Sequence, residues 1–96
     1  MRSTNQYTLK EAIEAYIKKF DRTGKFKRAA VVNAWEEEMG PMIKRYTKNI
    51  YVQRNKLIVY LNSPVIKHEL SMGKSKIIKM INEKVGVEVI TELVIR

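Results

Sequence analysis

Cysteine is absent, histidine occurs once, and the chain carries only two prolines and four glycines in 96 residues. Without cysteine there is no disulfide framework and no thiolate metal site, and the simplest home is a reducing cytoplasm. No apolar run approaches the roughly 20 residues of a membrane span, so a soluble protein is expected. Met1 to Tyr7 lacks the apolar core and small-residue cleavage site of a secretory signal. One imidazole and scattered carboxylates leave few candidates for a metal or nucleophile centre, so no cofactor, no metal and no catalytic residue are expected.

Acids are also few. Nineteen Lys and Arg against ten Asp and Glu give a formal net charge of +9 and a pI near 9.9. Between Pro41 and Lys79 stand nine cations (Lys44, Arg45, Lys48, Arg54, Lys56, Lys67, Lys74, Lys76 and Lys79) and one acid, Glu69. A basic excess gathered in one stretch suggests a polyanionic partner, where an even spread would suggest only solubility.

The chain is organised around Thr47 to Lys79. In Asn49 to Arg54, Ile50 and Val52 fall on one side and Tyr51 on the other, and in Lys56 to Leu61, Leu57, Val59 and Leu61 fall on one face and Ile58 and Tyr60 on the other, the period of two that a pleated strand requires. Arg54-Asn55-Lys56 is short and polar, and its Asn tolerates a left-handed conformation, so an antiparallel hairpin is expected. Ser63 then offers an oxygen to helix N–H groups and Pro64 takes the first helical position. From Pro64 to about Val85 one long helix is expected, with Ile66, Leu70, Gly73, Ile77 and Ile81 facing the core. Gly73 within that stripe either permits close approach to a strand or marks a break.

Before the hairpin, Thr8-Leu9-Lys10-Glu11 has the spacing of a capping box. Leu9, Ile13, Tyr16, Ile17 and Phe20 follow as an apolar stripe at helical spacing. Asp21 to Gly24 breaks this helix, and Arg22, Lys25, Lys27 and Arg28 cluster at the break. A second helix brings Phe26, Ala30, Val31, Ala34, Trp35 and Met39 inward and ends at Gly40, with a short turn or helix from Pro41. Trp35 is read as a core anchor. Glu36 to Glu38 read as a solvated face, with a contact for a basic partner as the minor alternative. Past Gly86, Val89 to Ile95 alternate as a third strand.

The expected fold is α+β, in the order α-α-β-β-α-β, with helices on one face of a three-stranded sheet. Residues 1–8 are expected to form a flexible arm and 9–96 a single domain. Tyr51, Ile58, Tyr60, Ile90 and Val94 fall on the second sheet face, where Tyr51 and Tyr60 could stack on bases or meet a partner or a second copy. Two apparent motifs fail. Met72-Gly73-Lys74-Ser75 mimics the tail of a P-loop, but His68 occupies the place of the required glycine. His68-Glu69 is not a zincin start, since Met72 stands where the second histidine belongs.

Trp35, Gly40, Ile43, Thr47, Ile50, Leu57-Ile58-Val59, Ser63-Pro64, Glu69-Leu70, Ile81-Asn82, Gly86 and the terminal Leu93-Val94-Ile95-Arg96 together resemble the DciA-like family of small bacterial proteins. The resemblance covers roughly Leu9 to Arg96. It implies a KH-like domain, association with the replicative helicase, help in loading it, and DNA binding. Two departures stand out: Val65 replaces the aromatic that members often carry after the Ser-Pro-like cap, and the disordered extension of many members is absent from this sequence. The Gly-x-x-Gly loop with which KH domains clamp a backbone is also missing, so binding is expected through another surface.

The leading expectation is therefore a non-enzymatic, cytoplasmic, nucleoid-associated DNA-binding factor of replication, engaging phosphates through the nine cations and favouring single-stranded or forked DNA. The alternatives are a protein-interaction module that binds the helicase or a second copy, and an RNA-binding or ribosome-associated KH-like protein.

Overall fold

The capping box at Thr8 opens the structure, a computed structural model that describes residues 8–96. Thr8 Oγ1 accepts from the Glu11 N–H at 3.1 Å and the Glu11 carboxylate accepts from the Thr8 N–H at 2.8 Å, starting α1 (Leu9–Phe20). Apart from Thr8, the arm expected over residues 1–8 lies outside the described residues. Only Ile17 of the α1 stripe is buried; Leu9, Tyr16 and Phe20 are exposed.

Helix α2 (Lys25–Tyr46) is two helices joined at a kink. Gly40 sits at φ 85°, ψ 173°, a conformation open in practice only to glycine, and Pro41 then starts the second part with its φ already helical. The expected stop at Gly40 is thus a bend, after which the helix continues to Tyr46. Val31, Ala34 and Trp35 are buried on its inner face, but Phe26, expected to point inward, is 48% exposed.

Strands β1 (Thr47–Gln53) and β2 (Lys56–Leu61) pair antiparallel, Tyr51 opposite Ile58 and Val52 opposite Leu57. Strand β3 (Glu92–Ile95) adds to β2 in parallel, which makes β2 the central strand of a mixed sheet ordered β1-β2-β3. In the turn between β1 and β2 the left-handed residue is Arg54 (φ 58°) and not Asn55. That conformation costs a side-chain-bearing residue about 1–2 kcal/mol. Asn55 serves another purpose. Its Nδ2 donates to Thr91 Oγ1 at 2.6 Å and its C=O accepts from the Thr91 N–H at 2.9 Å, which locks the turn to the start of β3.

The single helix expected after Pro64 is two, α3 (Pro64–Ser71) and α4 (Lys74–Val85), so the order is α-α-β-β-α-α-β within the expected α+β class. Ser63 Oγ caps α3 through the Ile66 N–H, and the Met72 and Gly73 N–H groups turn back to the Glu69 and Leu70 carbonyls, ending it. A Cβ at Gly73 would meet nothing within 4 Å, so this glycine marks a break and no strand approaches it. Isolated helices of 8 and 12 residues are marginal in water. Burial of Ile77 and Ile81 supplies about 1.5–3 kcal/mol each and holds α4 in place.

Val31, Ala34, Trp35, Val52, Leu57, Val59, Ile77, Ile81, Ile90 and Leu93 form one core between the helices and a single sheet face, with Ile66 and Leu70 of α3 packed against it. Asn82 secures the return from α4 to the sheet: its side-chain oxygen accepts from the Val89 and Ile90 N–H groups and its Nδ2 donates to the Ile90 C=O, all within 3.1 Å. No described helix is long and apolar enough to cross a membrane.

Candidate nucleic-acid interface

The nine expected cations do not form one continuous patch. Lys44, Arg45 and Lys48 gather where α2 runs into β1, at the end of the sheet away from the hairpin turn. Lys48 and Lys44 line a small depression of about 260 Å³ over Trp35 and Glu36. Lys44 Nζ lies 3.9 Å from Glu36 Oε1, so part of its charge is already answered. Glu37 in turn pairs with Lys84 of α4 at 3.5 Å. The acidic run thus meets cations of this same chain.

Lys74 and Lys76 open α4 at the tip of the α3–α4 turn, where Ser71, Met72, Gly73, Lys74, Ser75 and Lys76 line an open hollow of about 390 Å³. No side chain caps α4, and its hydrogen bonding starts with the Ile77 N–H donating to the Gly73 C=O at 3.0 Å. The N–H groups of the first turn therefore face solvent beside two ammonium groups, and the helix dipole adds to the attraction for an anion. Lys67 is half-buried on α3. Lys79 stands further along α4, beside Glu83 and Leu9.

Arg54 and Lys56 are at the opposite end of the sheet, at the hairpin turn. Both are exposed, and Arg54 lies next to Arg22 of the α1–α2 turn and Lys27 and Arg28 at the start of α2. Those three were visible as a basic cluster in the sequence. Their meeting with Arg54 was not, because about thirty residues, most of α2 among them, separate the two stretches.

The second sheet face is smaller than expected. Ile90 is fully buried in the core and Ile58 is 4% exposed beneath its neighbours, leaving Tyr51, Tyr60 and Val94. Tyr51 is 39% exposed and Tyr60 half-buried, and their rings stack on each other with centroids 6.4 Å apart. A hydrogen bond with the Tyr60 side chain raises the Tyr51 pKa above the ordinary tyrosine value, helped by desolvation and by the Tyr60 charge and opposed by Arg96. Trp35 has no exposed surface, and its indole N–H finds no partner among the described residues.

The family described as "Dna[CI] antecedent, DciA" matches residues 8–95. The chain belongs to the DciA family. A comparison with curated proteins gave no match. DciA proteins are non-enzymatic loaders of the replicative helicase, which gives this chain an accessory role in DNA replication. The DciA match covers all four helices and all three strands, and so each of the nine expected cations and the Arg22, Lys27 and Arg28 cluster.

Proposed function

We propose that the protein binds DNA directly while assisting helicase loading in the cytoplasm, with the α3–α4 tip as its principal phosphate contact. The observation that carries this is the combination at one exposed tip of Lys74, Lys76 and the uncapped first turn of α4. Lys48 and Arg45 extend the contact along the same end of the sheet, and Lys44, paired with Glu36, contributes less. Lysines and free N–H groups neutralise phosphates without reading bases, so binding is governed by salt and shows little sequence preference. Tyr51 is 39% exposed and its ring offers unpaired bases a stacking partner, which favours single strands and forks over duplex.

Fluorescence anisotropy with single-stranded DNA, duplex DNA and RNA of equal length, across a salt series, tests the reading. Single-stranded DNA should bind best, with log K falling against log salt by about 0.7 per phosphate neutralised. Equal and weak binding of all three at low salt would reduce the charge to a solvation role. Preference for the RNA would favour the RNA-binding alternative.

A protein-binding surface is supported by a separate observation. Tyr16, Phe20 and Phe26 form an exposed aromatic cluster, with ring centroids 5.1 and 5.7 Å apart. Such a patch fits contact with the helicase better than the sheet face does, where Ile58 and Ile90 are buried. Lys74→Glu with Lys76→Glu should sharply weaken DNA binding and leave helicase binding intact, whereas Phe20→Ser with Phe26→Ser should weaken helicase binding and leave DNA binding intact.

A further inference from the structure

The α1–α2 turn and the β1–β2 hairpin turn meet in a pocket of about 300 Å³ with Arg22, Lys27, Arg28 and Arg54 on its walls and Val52 and Val89 at its base. Two ion pairs are formed among the described residues, Lys44 with Glu36 and Lys84 with Glu37, and neither involves these four cations. One carboxylate, Asp21, shares the pocket. It accepts from the Phe26 and Lys27 N–H groups at 3.1 and 3.0 Å, and so its charge answers the start of α2. Desolvation raises its pKa, but those two bonds and the nearby Lys27 and Arg28 outweigh it and hold the carboxyl below its ordinary value. Since α2 is already capped by Asp21, what draws an anion here is the excess of side-chain cations.

The walls are held in position. Arg28 Nη1 donates to the Thr23 C=O at 2.9 Å, and Arg54 is fixed at φ 58° by a turn tied to β3 through Asn55. A non-glycine residue kept in the left-handed region at a basic pocket is the kind of strain that accompanies binding sites. The pocket is also far from the α3–α4 tip. β1 has seven residues, so the two ends of the sheet lie roughly 20 Å apart. α4 runs back along that length from its tip to Gly86, beyond which Thr91 meets Asn55.

We propose that this corner is a second phosphate-binding pocket for the nucleic-acid backbone, with Arg22, Lys27, Arg28 and Arg54 as its cations. This rests on the DNA-binding reading above and extends it: a strand engaged at both sites spans the sheet lengthwise.

The test compares wild type, Arg22→Gln/Arg54→Asn and Lys74→Gln/Lys76→Gln in the same salt series on single-stranded DNA. Asparagine accepts the left-handed conformation of position 54, and Arg22 is exposed, so the first variant keeps the fold. Its salt slope should be shallower by about 1.4, two phosphates at 0.7 each. In a titration of isotope-labelled wild type with a short oligonucleotide, the Thr23, Gly24 and Asn55 amides should shift. If Lys74→Gln/Lys76→Gln flattens the slope while Arg22→Gln/Arg54→Asn leaves it unchanged and those amides stay still, the pocket is overturned and the tip contact stands. If wild type binds no nucleic acid, both readings fall.

Discussion

Trp35 shows how much one side chain carries. It is fully buried at the centre of the core, so the chain's only tryptophan should emit at short wavelength and shift red on unfolding. Trp35→Ala should cost about 3–5 kcal/mol, a large part of what a domain of this size has to lose. Trp35→Phe should cost much less than its lost volume suggests, because it also removes a buried indole N–H that has no partner, a defect worth about 1–3 kcal/mol. Denaturant melts followed by circular dichroism would separate the two. Asp21 provides a pH test. Its folded pKa is lowered, so its contribution is present above the ordinary carboxylate value of 3.8 and is lost as pH falls through the lowered value. Asp21→Asn should therefore lower the melting temperature at pH 7 and bring it together with wild type at strongly acidic pH.

Elements differ in how firmly they are attached. Among the described side chains of helix α1 only Ile17 is buried, with Ile13 half-buried against Gly86. Hydrogen exchange should find α1 the least protected helix and α4 among the most protected. Gly86 is at φ 102°, and an added Cβ would run into the Ile13 side chain. Gly86→Ala should thus cost at least about 1–2 kcal/mol from backbone strain and also release α1, seen as faster exchange there. Much at this scale was legible in the sequence. Thr8-Glu11 and Ser63-Pro64 announce helix starts because a cap is made within four residues, and the β1–β2 alternation announces a hairpin for the same reason. The break at Met72-Gly73 was not decided, since a glycine in an apolar stripe has the same pattern whether it abuts a strand or ends a helix. The exposure of Tyr16, Phe20 and Phe26 was hidden too, because periodicity reports that a stripe exists and not what covers it.

At the scale of the molecule, the radius of gyration of 14.8 Å exceeds the roughly 13 Å usual for about 100 residues. The longest dimension is 51 Å, against 25 and 21 Å for the others. Charge on an elongated body acts over its length: cations at the two ends of the sheet lie further apart than the screening distance of about 8 Å at physiological salt, so the field at each end is largely its own. The overall excess of charge was plain from composition, but its division between two ends depends on strand direction and on a tertiary corner that no local pattern encodes.

Among the described residues the strand order β1-β2-β3 leaves β1 and β3 as edge strands, each with one side not paired to another strand. A flat, apolar edge would recruit further copies into a growing sheet. Here β3 is only four residues long, and β1 is interrupted by a register shift between Thr47 and Asn49, with Lys48 at the irregularity. Lys48 thus guards the edge, in addition to the phosphate contact proposed for it. Lys48→Ile should leave the monomer folded yet promote concentration-dependent self-association in light scattering. Wild type should stay monomeric in the same concentration series, because the Lys48 ammonium keeps a neighbouring strand away.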